Sequence, residues 1–235
     1  HLTQYVAMTD ADLAGDFDKA AREGAKMLRL REQLNKINPF FCLPDEKPGD
    51  YTCGVWYWTI TNRVKWYREQ AEKLNGKTGK LVALLPTEVG FRTDPHDEGL
   101  YAQWYNLGAN VSWSKARLDR PYYAQQSLQD SAGHPYVGQL WYKAQVYVKT
   151  LTPGKTVKLF VPNVSTEAWC WVNGQYVGYR GFLEAYIKPA SMELDVTPVL
   201  KPGANEIVFR VNTSLAEAQG AEGLWSKPFL YEVAE

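Results

Sequence analysis

Two hydrophobic periodicities divide the chain. Apolar positions recur at Leu13, Phe17, Ala20, Gly24, Met27, Leu30, Leu34 and Ile37. Steps of three and four place them in one stripe on a helix, which Thr9 and Asp10 are suited to cap and which ends before Pro39. Gly24 lies on the stripe, where it weakens the helix but lets a neighbouring element come close. A second stripe, Trp56, Ile60, Val64, Tyr67, Ala71 and Leu74, stops at Asn75-Gly76, a sequence suited to a helix C-terminus. Together they predict an antiparallel helical hairpin over residues 1–78. Its aromatics, Trp56, Trp66 and Tyr67, are more than two helices bury alone, so the hairpin is expected to pack on the C-terminal part of the chain or to be the tail of a preceding domain.

After Gly79 the period shortens. Leu81-Val-Ala-Leu-Leu85 reads as a short buried run closed by Pro86. From Trp141 to Val148 the alternation puts Tyr142, Ala144, Val146 and Val148 on one face. Val157, Leu159 and Val161 alternate in the same way, as do Ile207, Phe209 and Val211. Thr152-Pro-Gly154, Asn173-Gly174 and Lys201-Pro-Gly203 supply turns between them. Short strands separated by turn signals, with no intervening helical pattern, predict a mainly β sandwich or barrel over residues 79–235.

Charge narrows the partners. Lys and Arg total 26, and so do Asp and Glu, which leaves no global field to draw polyanions. Nucleic acid and an anionic membrane surface are therefore not expected as partners. No apolar run is long enough for a membrane span, and no signal-peptide pattern opens the chain. A start at His1 without Met reads as a trimmed or excised terminus. The 9 Trp and 15 Tyr, beside 3 Met, suit pleated sheets and sandwich cores, and equally surfaces that stack flat ligands. Cys170 sits between two Trp in an alternating segment and reads as a small buried apolar residue. Cys42 and Cys53 bracket a short Pro- and Gly-containing loop that a disulfide would close. Neither a CxxC pair nor a His/Cys cluster occurs, which argues against structural zinc.

Five segments carry a family resemblance: Phe91-Arg-Thr-Asp-Pro95 with Trp113; Gly138-Gln-Leu-Trp-Tyr-Lys143; Ala168-Trp-Cys-Trp-Val-Asn-Gly-Gln-Tyr-Val-Gly178; Leu194-Asp-Val-Thr197 with Leu200-Lys-Pro-Gly-Ala-Asn-Glu-Ile-Val-Phe-Arg-Val211; and Gly223-Leu-Trp-Ser-Lys-Pro-Phe229. In this order they resemble the galactose-binding-like jelly roll, as in the sugar-binding domain of glycoside hydrolase family 2 enzymes. The resemblance covers roughly residues 85–235 and leaves the helical part outside. Asn173-Gly174 fits its tight hairpin, because both positions tolerate positive φ. Strand alternation then sets Ala168, Cys170 and Val172 on one face and Glu167, Trp169 and Trp171 on the other. The two Trp need a cover, either the helical hairpin or a ligand.

The resemblance implies a non-catalytic carbohydrate-binding or accessory module of a larger exported polysaccharide-degrading enzyme. Its partners would be an oligo- or polysaccharide and the catalytic domain of the parent enzyme, in an extracellular or periplasmic setting. In that setting Cys42 and Cys53 would be joined as a disulfide. The fold alone serves equally as a scaffold, so a purely structural domain supporting a glycoside hydrolase is the alternative. A complete small hydrolase is a third reading.

By the same resemblance a glycan would bind at loops on one rim, Tyr179 to Tyr186 and Asn212 to Trp225. Trp225 and Phe182 would stack on a sugar ring, Arg180 and Glu184 would hold hydroxyls, and Tyr179 and Asn212 would complete the site. The rival reading plugs the core with Trp225 and pairs Arg180 with Glu184. Structural calcium is common in such jelly rolls, but no acidic loop here nominates its ligands, and no cofactor is expected. Glycosidase chemistry needs two carboxylates across a scissile bond, and Glu184, Asp195 and Glu222 show no pairing. No nucleophile elbow or phosphate-binding glycine motif occurs. His96 and His134 read as solvated, an amino-terminal copper site at His1 would need a second His in register that the helical flank does not offer, and the sequons at Asn110, Asn163 and Asn212 read as chance.

Overall fold

The computed structural model describes residues 1–38, 60–120, 136–183, 190–214 and 223–234. Cys42, Cys53, Trp56 and Glu184 lie outside the described residues, and with them the disulfide and the Arg180–Glu184 pair.

The N-terminal stripe is not one helix. It is α1 (Leu2–Leu13) followed by α2 (Phe17–Ile37). Gly15 sits at φ 76° between them, a left-handed conformation that glycine adopts at little cost and that ends a helix. Asp16 starts α2, its carboxylate accepting from the Lys19 amide at 3.0 Å. Thr9 and Asp10, expected as caps, therefore lie inside α1. The stripe also fades towards its end, and Ile37 is 81% exposed. α3 (Ile60–Leu74) buries Ile60, Val64, Tyr67 and Ala71, and Gly76 turns the chain beyond it at φ 94°. Gly24 allows the close approach its position predicted: an added Cβ would stand 2.5 Å from Val64 Cγ2.

Two antiparallel sheets form the rest. One has the order β1 (Gly79–Leu84), β12 (Phe229–Val233), β5 (Val157–Val161), β9 (Met192–Asp195). The other has the order β3 (Ser114–Arg117), β2 (Glu88–Asp94), β4 (Gln139–Val148), β10 (Gly203–Asn212), β7 (Glu167–Val172), β8 (Gln175–Arg180). A two-stranded ribbon of β6 (Asn163–Ser165) and β11 (Gly223–Trp225) completes the set. Inward residues of both sheets, among them Tyr142, Ala144, Leu159, Cys170, Phe209 and Leu230, form the main core. Cys170 is a buried free thiol, its pKa raised by burial. The hairpin between β7 and β8 turns at Asn173 and Gly174, with φ of 52° and 79°.

The run at Leu81 is less buried than its composition predicts. β1 is an outer strand with one neighbour, so Leu81 and Leu84 are exposed and Leu85 enters the core.

Each sheet is also covered on its outer side. Phe160, Phe229 and Tyr231 point away from the main core into the helices, where they meet Phe17, Tyr67 and Met27. This explains why β5 buries consecutive residues. On the six-stranded sheet, Trp141, Trp171 and Val208 point outward and pack with Trp104. The cover over Trp171 is thus not the helices. It comes from the connection between β2 and β3, whose Tyr105 stacks on Trp171 at 4.9 Å and 11°. Asp94 organises that connection by accepting from the amides of Glu98 and Gly99 and from Trp141 Nε1, at 2.8, 2.9 and 3.0 Å.

Candidate functional site

Strand register gathers a polar cluster at one end of the six-stranded sheet. Asn212, the last residue of β10, pairs with Glu167, the first of β7. Ala168 pairs with Arg180 and Trp169 with Tyr179, the last residues of β8. Glu167 is the hub: Oε1 accepts from the Tyr179 hydroxyl at 2.7 Å and Oε2 from Asn212 Nδ2 at 2.9 Å. The hydrogen bond to Glu167 raises the Tyr179 pKa, because it favours the protonated phenol. Asn212 is fixed further by its Oδ1, which accepts from the amide and hydroxyl of Ser214 at 3.0 and 2.6 Å. Its carbonyl accepts from Thr166 Oγ1.

Arg180 points under this rim. Nη1 donates to the carbonyls of Thr166 and Gly181, both at 2.9 Å. Nε and Nη2 are shielded and make no hydrogen bond among the described residues. Burial lowers the guanidinium pKa to about 10, since a desolvated cation is disfavoured. It therefore remains charged at neutral pH.

Beside the hub stands an aromatic surface. The Trp169 ring lies 5.0 Å from Tyr179, tilted by 38°. The Arg210 guanidinium lies 4.6 Å from the Trp169 centroid and pairs with Asp97 at 2.6 Å. Tyr176, 56% exposed, rests against Trp171, and Tyr179 is itself 46% exposed. Phe182, two residues beyond Arg180, is 49% exposed. Aromatic faces flanked by fixed donors and acceptors can hold a flat, hydroxylated ring.

Of the residues predicted from sequence, Tyr179, Arg180 and Asn212 come together and Phe182 adjoins them. Trp225 is set elsewhere, on β11 opposite Asn163. The register places Gly223, rather than Trp225, at the end of β6 nearer the cluster. Glu167 was missed. Its signal was present in its place on the Trp169 face, but its role depends on the register of three strands. Asp195 accepts from the Thr197 amide at 2.9 Å and serves a turn. Among the described residues no group of three or more His, Cys, Asp and Glu could hold a metal ion. No helix among them is long and apolar enough to cross a membrane.

Among the described residues, antiparallel sheets with three helices form a sandwich-type domain, and its structural counterparts lie within glycoside hydrolases. A Ruminococcus gnavus β-glucuronidase solved with uronic isofagomine matches 69% of this chain and 30% of its own, with TM-score 0.56 and 18% identity. No family model matches the sequence. Among curated proteins, a putative beta-glucuronidase of Formosa agariphila is 27% identical over 127 residues, 50% of this chain. A beta-galactosidase of Priestia megaterium is 23% identical over 194 residues, 76% of this chain. The matches span 15% and 17% of those two relatives.

Proposed function

We propose that this chain is a non-catalytic accessory module of a larger, exported glycoside hydrolase, and that its sandwich is a galactose-binding-like jelly roll that binds oligo- or polysaccharide. The partial span of glycoside hydrolase relatives supports the accessory role. The observation that carries sugar binding is the Glu167 hub, which holds Asn212 and the exposed Tyr179 beside the half-buried Trp169. A pyranose would stack on Tyr179 or Phe182, with its hydroxyls on Asn212 and the Arg180 guanidinium. Glu184 belongs to the same proposed rim. The catalytic domain of the parent enzyme is the second proposed partner, and export favours a Cys42–Cys53 disulfide.

A purely structural domain is the alternative, and one observation favours it. Both Glu167 oxygens are engaged within the chain, as in a lock between strand ends. Calorimetry with a panel of soluble neutral and acidic oligosaccharides separates the two. The binding reading expects affinity in about the millimolar to micromolar range, weakened about tenfold or more in Tyr179→Ala and Arg180→Ala that keep the wild-type circular dichroism. No binding anywhere in the panel, or binding untouched by both substitutions, leaves the structural reading.

A further inference from the structure

A second recessed site lies at the opposite edge of the six-stranded sheet. The ladder between β2 and β3 ends at Phe91 and Ser114, while β2 continues along β4 as far as Asp94 and Gln139. Where the chains part, a cleft of about 520 Å³ opens, lined by Arg92, Thr93, Ser112, Ser114 and Lys115, with no acidic side chain among its described lining residues. That size falls within the usual range of small-molecule sites, about 300–1,000 Å³.

Arg92 is already positioned. Its guanidinium lies 4.4 Å from the centroid of Trp104, a buried indole that packs on Trp141. Its Nη1 donates to the Ser112 carbonyl at 3.2 Å. One anchored nitrogen leaves most of the five guanidinium donors for another acceptor. Because stacking has already restricted the side chain, little further entropy is lost when a ligand is bound. Lys115 pairs with Glu88 at 2.6 Å, with its side chain 75% exposed. An ion pair so exposed contributes little and is readily exchanged for a better partner. Thr93, Ser112 and Ser114 also line the cleft, and a hydroxyl can both donate and accept.

We propose that this cleft binds the acidic group of a hydroxylated ligand, namely an oligosaccharide bearing a carboxylate or a sulfate ester. Arg92 takes the anion through its planar fork, Lys115 adds the second charge, and Thr93, Ser112 and Ser114 meet the ring hydroxyls. The cleft adjoins β3 and the Glu167 hub adjoins β8, at the two ends of the strand order. Its occupancy does not depend on the hub.

The test is calorimetric titration of the whole chain with trigalacturonate, a sulfated disaccharide and neutral cellotriose. The proteins compared are wild type, Arg92→Gln, Lys115→Gln and the charge-matched Lys80→Gln on β1. Expected are binding of at least one acidic probe about tenfold tighter than cellotriose, a loss of about tenfold in Arg92→Gln, and a smaller loss in Lys115→Gln. Lys80→Gln should match wild type, and added salt should weaken binding. Trigalacturonate alone binding identifies the carboxylate, and the sulfated disaccharide alone the sulfate ester. Should Arg92→Gln fail to fold, Lys115→Gln decides, since its side chain is exposed. Equal affinity for cellotriose, no binding of either acid, or losses no greater than in Lys80→Gln would overturn the proposal. Binding that survives Arg180→Ala but not Arg92→Gln supports the cleft while removing the hub.

Discussion

Tyr67 on α3 donates a 2.7 Å hydrogen bond to Asp12 on α1, and the same phenol oxygen accepts from Arg63 Nη2 at 2.8 Å. The other oxygen of Asp12 accepts from Ser226, between β11 and β12, at 3.2 Å. One buried carboxylate therefore joins two helices to the sandwich. Desolvation raises the Asp12 pKa despite Arg63 and the two hydroxyl donors, so the network holds position at some electrostatic cost.

Tyr67→Phe removes the shared hydroxyl and strands donors of Arg63 and an oxygen of Asp12. A loss of about 1–3 kcal/mol is expected, measured by urea unfolding. Fluorescence and circular dichroism should report one transition in wild type, because the helices and the four-stranded sheet share a core. Unchanged stability would mean that water replaces the phenol.

Glu193 predicts an acid-sensitive contact. Burial alone would raise its pKa, but hydrogen bonds from Lys73, Lys158 and Tyr231 outweigh it and bring it down to about 2. A carboxylate with a folded pKa below its unfolded value, 4.5, stabilises the fold above that value. The contribution disappears as pH falls from about 4.5 towards 2. Glu193→Gln should flatten stability against pH in that window and cost about 1 kcal/mol at neutral pH, since the site is partly solvated. An equally steep acid limb in the variant would assign the effect elsewhere.

Gly24→Ala should destabilise although alanine is the better helix former. The added methyl meets Val64 Cγ2 at 2.5 Å and Met8 Sδ at 3.1 Å. Overpacking costs about 1–3 kcal/mol, against about 1 kcal/mol gained in propensity. Val64→Ala made together with Gly24→Ala should recover part of the loss. Purely additive effects in that double-mutant cycle would refute a direct clash.

Alkylation of the unfolded, unreduced protein, read by mass spectrometry, should label one cysteine, Cys170. In the native protein the buried thiol should resist the reagent. Labelling of two or three cysteines after unfolding would exclude the Cys42–Cys53 disulfide.

Local chemistry made some features readable in the sequence. The alternation in β4 and β10, the faces of β7 and the Asn173-Gly174 turn depend on neighbours within a few residues. The α1–α2 break was hidden because Leu13 and Phe17 keep helical spacing across Gly15, so the stripe continues where the helix does not. The cover over Trp171 arises from Tyr105, in a segment without periodicity. The edge position of β1, which exposes Leu81 and Leu84, follows from strand order. At the candidate site, single residues such as Arg180 and Asn212 were nameable from their chemistry. Glu167 became their common partner only when three strands were laid side by side.

The occupied outer faces have a consequence for how this chain meets other molecules. Helices lie over one sheet and stacked indoles over the middle of the other, so the broad sides are largely spent on internal packing. What remains are margins: strand ends at β7 and β8, the parting of β2 from β3, and the lone flank of β1. Those margins offer a neighbour a hold of the kind one takes on a plate, by its border. The chemistry displayed there can vary with little change to the sheets that hold it.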